Sequence, residues 1–417
     1  MAKNDIQYIQ QNRLKADDRL WKILVYGSYL DYNFIERLDA YASIQQKLKS
    51  LDYFIKQGIK EKDGSNNHDV SELLEWNYIK TEHVNRGYLL YDEKSKWKIS
   101  NVGYVYRDKE KKVVKEIYKA PILLIRGGTG NDLKAVSAVS QIDGVYKSSL
   151  TGVHVYSNDA INILRKISSL LNSSFFAYYN IMTFASSGIE REETHDEERF
   201  IVPYCNNDAI AESAITLEKL LTEKASSDFE STVRSTKEIE SLYNKIDLLI
   251  SKGFDCNQEE MDLIDYANTI TIPLIIQHDI ESVTRPIRRE EDILKEYAQV
   301  FLKKFGESFN RNGHRFVAEI IYDSRYIGVF FRIIDEKDFV NDIIEKTNSV
   351  EGNLLPTVIS LSSEKITDRL YVQKDVRDFE KDGFYIFKPN ERRLWHKAVA
   401  YKDADDFADA MLKAKRQ

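Results

Sequence analysis

The residues with the most recognisable chemistry in this sequence are seven histidines and two cysteines. Zinc sites usually take their ligands from closely spaced pairs such as His-x-x-x-His or Cys-x-x-Cys. No two histidines have such a spacing, and Cys205 and Cys256 lie far apart in the chain. The Gly-x-Ser-x-Gly elbow that presents the nucleophile of many serine hydrolases is also missing. The sequence therefore predicts no metal site, and it predicts two reduced thiols rather than a disulfide.

A Gly-Gly-Thr-Gly run at residues 127–130 follows an apolar segment, as a phosphate-binding loop would. A P-loop also needs a Lys-Ser or Lys-Thr pair, and a dinucleotide loop needs the spacing Gly-x-Gly-x-x-Gly. The run has neither feature. We interpret it as a tight turn or a close approach of two backbones, flanked by Arg126 and Lys134, whose charges could still reach a phosphate.

Carboxylates in the C-terminal part leave a nuclease as an alternative. Glu364, Lys365 and Asp375 are the residue types of a carboxylate–lysine nuclease centre. Such combinations are also common on solvated faces, and we interpret these three residues in that way. Incubation with unmethylated DNA and Mg²⁺ tests the alternative.

Basic residues form three short clusters, at 109–112, 285–289 and 392–393. Cations in such clusters neutralise DNA phosphates without reading the base sequence. The first cluster includes Glu110 and is interpreted as a solvated turn. The arginines at 285–289 fit a solvated face and a binding role equally well.

The chain as a whole is acidic, with 60 lysines and arginines, 67 aspartates and glutamates, and a net charge of −7. Isolated nucleic-acid-binding domains are usually basic, but a local basic face can lie on an acidic body. Hydrophobic residues make up 42% and charged residues 30%, as in globular proteins. The N-terminus lacks the apolar core of a signal peptide, and no apolar stretch approaches ~20 residues. We therefore expect a cytoplasmic protein that has no membrane partner.

The spacing of apolar residues predicts the secondary structure. Strand-like runs occur at 104–106, 113–118, 121–126, 138–140 and 152–156. Helical spacing extends over 160–184 and 208–267. The last part predicts a helix from about 290, a hairpin over 316–334, a strand at 383–389 and a helix from about 404.

These elements predict an α+β fold class. The length of 417 residues is too great for a single ordinary core, so we expect several domains. The predicted parts are an N-terminal helical connector (1–50), a β-rich domain (51–205), a helical spacer (206–289) and a C-terminal α+β domain (290–417).

Several segments in the first half of the chain have the order found in one protein family. They are Asp-Asp-Arg-Leu-Trp-Lys-Ile-Leu-Val-Tyr-Gly at 17–27 with its continuation to 35, Lys-Gln-Gly-Ile at 56–59, Lys-Ala-Pro-Ile-Leu-Leu-Ile-Arg-Gly at 119–127, Leu-Asn-Ser-Ser-Phe-Phe-Ala-Tyr-Tyr at 171–179, Ser-Gly-Ile-Glu-Arg at 187–191 and Ile-Val-Pro at 201–203. Together they resemble the region downstream of the catalytic domain in adenine-specific (N6) DNA methyltransferases of bacterial type II and IIG restriction–modification systems. That region contains the target-recognition domain.

The resemblance implies DNA recognition without methyl transfer. Active family members carry a glycine-rich S-adenosylmethionine loop and an Asn-Pro-Pro-Tyr type motif that holds the flipped adenine. This chain has no Pro-Pro pair, and only about 16 residues precede the resembling part, too few for a cofactor-binding sheet. We therefore expect no cofactor in this chain. S-adenosylmethionine would bind a methyltransferase domain or subunit, which is the expected partner together with double-stranded DNA.

The resemblance also implies that residues 51–204 hold the DNA-reading surface. Arginine can bond a guanine edge at two points, whereas lysine mostly holds phosphate. The candidate DNA-binding residues are Arg126, Lys134, Lys147, Arg165, Arg191 and Arg199. A surface salt bridge is the competing interpretation for each of them. Tyr178 and Tyr179 are expected in the core rather than against bases.

A second alternative is a protein-interaction subunit of a phage-defence complex, which the acidic net charge favours. A recognition module predicts salt-sensitive binding to duplex DNA. An interaction subunit predicts capture of its partner in the absence of nucleic acid.

Overall fold

The computed structural model of the chain describes residues 9–60, 73, 76–90, 114–185, 187, 196–226, 232–322, 324–346 and 376–414. The chain divides into two compact units. The central unit is Val25–Asn268, and the C-terminal unit is Thr269–Gln417 together with Met1–Leu24. Both units combine helices with β-sheet, so the predicted α+β class is confirmed. Within these described ranges, no helix has the length and apolar character needed to cross a membrane.

Four short helices begin the described chain: α1 (Gln11–Ala16), α2 (Arg19–Tyr26), α3 (Tyr29–Leu38) and α4 (Ile44–Lys49). Capping boxes begin two of them. Ser28 and Asp31 exchange hydrogen bonds at the start of α3, and Ser43 and Gln46 do the same at the start of α4. Each box satisfies backbone N–H groups that a helix start leaves without partners.

In the described part of the central unit, the strands form a four-stranded antiparallel sheet and two smaller strand pairs. The strands are β1 (Asp52–Gln57), β2 (Tyr78–Ile79), β3 (Val84–Asn85), β4 (Tyr88–Leu89), β5 (Ile122–Thr129), β6 (Ala135–Ser140), β7 (Val145–Tyr146) and β8 (Leu150–Tyr156). The four-stranded sheet has the order β1-β8-β5-β6. β2 pairs with β7 in parallel, and β3 pairs with β4 antiparallel.

Strand β5 is buried on both faces, which explains its continuous apolar run. Ile122 and Leu124 belong to a core cluster with Tyr118 and Tyr146. Residues alternate between the two faces of a strand, and the sheet also packs against α5 through β5, β6 and β8. β5 is thus held between the core cluster and α5, and this packing fixes the position of its carboxyl end.

Among the described residues after the sheet, the helices of the central unit are α5 (Ala160–Leu171), α6 (Ser174–Thr183), α7 (Asp196–Phe200), α8 (Asp208–Ser226), α9 (Thr232–Gly253) and α10 (Gln258–Tyr266). α8 packs against both α5 and α9. The helical pattern predicted over 160–184 has a break at Asn172 and Ser173. Asn172 Oδ1 accepts from the Ser137 backbone N–H at 3.1 Å and Nδ2 donates to the Ser137 carbonyl at 2.8 Å, while Ser173 caps α6. The Leu-Asn-Ser-Ser motif is therefore a joint that ties two helices to β6.

The described residues of the C-terminal unit form a five-stranded sheet with helices. Its elements are α11 (Ile272–Ile275), α12 (Ile280–Thr284), α13 (Ile293–Phe309), β9 (His314–Tyr322), β10 (Tyr326–Asp335), β11 (Ile343–Lys346), β12 (Val376–Glu380), β13 (Gly383–Pro389) and α14 (Lys397–Ala414). The strand order is β11-β9-β10-β13-β12, with β11 parallel to β9 and the other pairs antiparallel. Aromatic residues of α13, α14 and the sheet form its core; Phe301, for example, stacks on Phe331 at 4.3 Å between ring centroids.

Several local predictions are confirmed. β5, β6, β8 and β13 lie where strand composition predicted them, and β9 and β10 form the predicted hairpin. α9 ends at Gly253. Two predictions need correction: Lys115–Tyr118 is a 3₁₀ turn rather than a strand, and α14 begins at Lys397, before the predicted 404. The strand predicted at 104–106 lies outside the described residues.

Candidate nucleic-acid interface

At one end of the central sheet, β5 brings Arg126 between two loops. The Arg126 side chain is half-buried, and its Nε donates a hydrogen bond to the carbonyl oxygen of Val84 at 2.8 Å. The backbone N–H of Gly127 donates to the carbonyl oxygen of Ser149 at 3.2 Å. The strand end is therefore tied both to the segment around Val84 and to the turn at 147–150.

A side-chain contact joins these two loops directly. Thr81 Oγ1 and Ser149 Oγ lie 2.6 Å apart, within hydrogen-bonding distance. The two loops and the strand end thus form one continuous patch, which we call the sheet-end surface. Its residues are Lys80, Thr81, His83, Arg126, Lys147 and Ser149.

Positive charge collects on the sheet-end surface around one exposed carboxylate. The pKa of Glu82 is lowered, first by a backbone hydrogen bond and further by the charges of Lys80, His83 and Arg126. Lys80 Nζ lies 3.8 Å from Glu82 Oε1. The Glu82 side chain is 71% exposed, so water screens this contact strongly. His83 Nδ1 accepts a hydrogen bond from the Lys80 backbone N–H at 3.2 Å, so the cations beside the screened carboxylate are Lys80 and Arg126. Cations therefore outnumber carboxylates among these four residues.

The turn that carries Lys147 is fixed by a close backbone approach at Gly58. The N–H of Gly58 donates to Leu150 O at 3.2 Å, and that of Ile59 donates to Tyr146 O at 2.8 Å. A Cβ atom on residue 58 would lie 2.0 Å from Tyr146 O and 2.5 Å from Lys147 O. Only glycine allows this approach, so the Lys-Gln-Gly-Ile segment positions Lys147 and Ser149.

Arg199 supports the strand end from inside the protein. It is fully buried, and its Nη2 donates to the carbonyl oxygens of Arg126 at 3.2 Å and Gly127 at 3.0 Å. A buried guanidinium committed to backbone carbonyls is not presented to a duplex. Its burial therefore argues against the surface role predicted from the sequence and assigns Arg199 a positioning role.

The glycine run is divided between a strand and a turn. Gly127 and Gly128 are exposed residues of β5, where the pairing with β6 is irregular. The turn follows, with Leu133 N–H donating to Gly130 O at 2.8 Å, and it leads into β6. A phosphate-binding loop leads into a helix instead. The interpretation as a tight turn is therefore confirmed at Gly130, whereas the nearest atom to a Cβ there would be a side-chain atom, Asp132 Oδ1 at 2.8 Å, and not backbone.

Lys134 and Arg165 lie on a separate cavity of about 520 Å³, solvent at its mouth included, lined by β6, α5, α8 and α9. Lys134 Nζ bonds Ser174 Oγ at 2.9 Å, and Arg165 Nη2 bonds Glu218 Oε2 at 3.1 Å. Asp247 also lines the cavity. Carboxylates thus balance the two cations, and the salt-bridge interpretation fits Arg165.

The sequence-based candidates therefore separate into groups. Arg126 ends the strand at the sheet-end surface, and Lys147 lies on the turn bonded to that strand end. Lys134 and Arg165 line the cavity, and Arg199 is buried. Arg191, Glu364 and Asp375 lie outside the described residues. Lys80 and His83 were not among the residues predicted from the sequence. The polar residues directly after the short apolar β2 nevertheless indicate an exposed loop there.

The cysteines and aromatic residues agree with the sequence-based expectations. Burial raises the pKa of both the Cys205 and the Cys256 thiols to about 12, so neither is an activated nucleophile. Both cysteines are free. Tyr178 and Tyr179 are in the core, as predicted. Among the side chains that the structure describes, no group of three or more His, Cys, Asp or Glu could hold a metal ion.

Comparison with known proteins found no match, either among protein-family models or among curated proteins. The relationship to adenine-specific methyltransferases therefore stays a prediction from the sequence. The candidate site is defined by its own geometry.

Proposed function

We propose that this chain is a sequence-reading module for duplex DNA in a bacterial restriction–modification system. It acts with an adenine-N6 methyltransferase domain or subunit, and it has no methyl-transfer centre of its own. The observation that carries the proposal is the sheet-end surface of this acidic protein, where Arg126 lies near Lys80 and His83. A backbone hydrogen bond from Gly127 to Ser149 joins this strand end to the turn that carries Lys147. The ordered resemblance of the first half of the chain supports the same function.

Arg126 is the residue we assign to base reading. Its Nε donates to Val84 O, and among the described residues its two Nη groups have no hydrogen-bond partner. A guanidinium oriented in this way can bond O6 and N7 of guanine in the major groove. Lys80 and Lys147 are assigned to phosphate, which orients the module without selecting a sequence.

The backbone at Gly127 and Gly128, next to Arg126, is exposed and could be approached closely by a ligand. Gly128 has no heavy atom within 4 Å of the position its Cβ would take, and Gly127 meets only Ser149 O at 3.8 Å. Side chains would fit at both positions, so packing does not require these glycines. Their absence of side chains leaves room for a duplex to approach the strand end.

The test is selection of duplexes from a random pool, followed by fluorescence anisotropy on the enriched sequence. We expect an enriched motif and an affinity that falls steeply with salt. Arg126→Lys keeps the charge but loses the two-point contact, so discrimination at one base pair should fall by ~1–3 kcal/mol. Lys119→Gln is the control, because Lys119 is exposed before the opposite end of β5. No enrichment, or no binding at low salt, would contradict the proposal.

A further inference from the structure

Three arginine-bearing segments of the C-terminal unit, distant in sequence, come together at one end of its sheet. The backbone N–H of Arg392 donates to the carbonyl oxygen of Arg285 at 3.1 Å. The backbone N–H of Asn390 donates to the carbonyl oxygen of Arg325 at 2.8 Å. We call this group the arginine corner: Arg285, Arg288, Arg289, Arg325, Arg392 and Arg393.

Asn390 holds the arginine corner together. Its side chain is buried, with Oδ1 accepting from the Ile287 backbone N–H at 2.8 Å and Nδ2 donating to Ser324 O at 3.5 Å. Ile287 is itself a fully buried core residue. The corner is therefore built into the fold, with its three segments fixed relative to one another.

Part of the positive charge in the corner is balanced internally. Arg285 forms a two-point pair with Glu291, with a distance of 2.9 Å between Nη1 and Oε2, and Arg393 Nε bonds Glu391 Oε2 at 2.7 Å. The remaining carboxylate among the described residues of these segments is the exposed Glu290. Even with Asp323, which lies outside the described residues, the sequence of the corner has six arginines and four carboxylates, a positive surplus.

The exposed part of the corner has the composition of a nucleic-acid contact. Arg288, Arg289 and Arg325 are exposed, and the guanidinium of Arg289 lies over the Tyr322 ring at 5.2 Å from its centroid. The other exposed residues of 288–290 and 324–325 are Glu290 and Ser324. Protein interfaces usually have an apolar centre, whereas interfaces with DNA are polar and strongly positive.

We infer that the arginine corner binds the phosphate backbone of duplex DNA as a second, sequence-independent contact. This inference rests on the proposed function and assigns the C-terminal unit a role in it. Guanidinium groups bond phosphate oxygens at two points, and each neutralised phosphate releases condensed counterions. The corner therefore contributes affinity and salt dependence, while the choice of sequence belongs to the central unit.

The test compares the full-length protein with the triple variant Arg288→Gln, Arg289→Gln and Arg325→Gln on a random-sequence duplex. Loss of three phosphate contacts should lower the slope of log affinity against log salt by about 2.7. Over a rise from about 50 to 200 mM salt, wild type should then lose about 40-fold more affinity than the variant. The matched control changes Lys303, Arg311 and Lys413 to Gln, which removes the same charge from exposed positions of the same unit.

The outcomes separate this inference from the proposed function. A triple variant that matches the control in affinity and slope overturns the inference alone. Loss of binding in the triple variant, with Arg126→Lys leaving sequence selection unchanged, supports the corner and contradicts the proposed reading residue. Failure of wild type to bind duplex at low salt overturns both. A variant that keeps its DNA affinity but loses retention on immobilised polyglutamate would make the corner a site for an acidic protein and refute the inference.

Discussion

The buried guanidinium of Arg199 donates a hydrogen bond to the backbone carbonyl oxygen of Arg126, with 3.2 Å between Nη2 and O. The same Nη2 also bonds Gly127 O. A residue whose type suggests surface charge thus holds the strand end from which the candidate reading residue projects. The position of Arg126 depends on this internal support as well as on its own bond to Val84 O.

Arg199→Met should destabilise the protein and weaken DNA binding together. The change removes the buried guanidinium that donates to the carbonyl oxygens of Arg126 and Gly127, and hydrogen bonds to charged groups contribute ~1.5–3 kcal/mol. Urea unfolding measures the loss, and anisotropy with the selected duplex measures the affinity. The control is Lys219→Met on α8, where the side chain is 75% exposed and an effect within about 0.5 kcal/mol is expected. An unchanged unfolding free energy for Arg199→Met would show that the contact has no supporting role.

Gly58→Ala should disrupt the turn that carries Lys147. The new Cβ would meet backbone atoms at 2.0 and 2.5 Å, and backbone cannot rotate away as a side chain can. Forced overpacking of this kind costs ~1–3 kcal/mol. Gly128→Ala is the matched control, since its Cβ would have open space, and it should leave stability within about 0.5 kcal/mol. Equal unfolding free energies for the two variants would contradict the argument.

The sequence predicted the elements better than the site. The apolar run of β5 reveals a strand because both of its faces are buried. Burial also explains why the apolar run at 113–118 was wrongly predicted as a strand. Ile117 and Tyr118 are consecutive and both belong to one core cluster, which a 3₁₀ turn allows and strand alternation does not.

Charged residues were harder to place, because their roles depend on partners distant in sequence. Arg199 has the composition of a surface residue, yet it is buried against β5. Arg165 is paired with Glu218 from another helix. In the arginine corner, a residue that looked isolated in the sequence belongs to a cluster. No other arginine lies near Arg325 in the sequence, but Asn390 joins it in the fold to the segments at 285–289 and 392–393. Periodicity predicts which face of an element is apolar, but not which charges meet across elements.

Asp31 should make the stability of the protein depend on pH. Burial raises the pKa of this carboxyl from 3.8 to about 6, although it accepts hydrogen bonds from Ser28 and from Tyr178 Oη at 3.2 Å. The folded state therefore holds the proton more tightly than the unfolded state. Its stabilising effect is complete below about pH 3.8 and is lost as the pH rises through about 6, a change on the order of 3 kcal/mol at most.

Asp31→Asn should remove this contribution. Urea unfolding of both proteins at about pH 4 and about pH 7, on either side of the Asp31 pKa of about 6, measures the contribution. The unfolding free energy should fall less with rising pH in the variant than in wild type. Asp255→Asn serves as the control, because Asp255 is exposed and its carboxylate accepts a hydrogen bond from Tyr41 Oη at 3.4 Å. Identical slopes for wild type and Asp31→Asn would show that the buried carboxyl does not titrate in this range.

The last prediction concerns a buried charge network in the C-terminal unit. Lys388 and Asp403 are both almost fully buried and form an ion pair. Asp403 also accepts from Tyr297 Oη at 2.7 Å and pairs with Arg377 Nη2 at 3.1 Å. Lys388 Nζ lies 5.3 Å from the centroid of the Trp395 ring. Because water cannot reach these groups, each charge depends on its partner.

Asp403→Asn should therefore cost ~3–5 kcal/mol of unfolding free energy, since it leaves the Lys388 ammonium buried without its carboxylate. Asp405→Asn is the matched control in the same helix: its partner Lys304 and Asp405 itself are each 34% exposed, so a loss below about 1 kcal/mol is expected. Adding Lys388→Met to Asp403→Asn should recover part of the loss, because the stranded charge is removed. If the double variant is as unstable as the sum of the two single variants, the pair is not energetically coupled and the network argument fails.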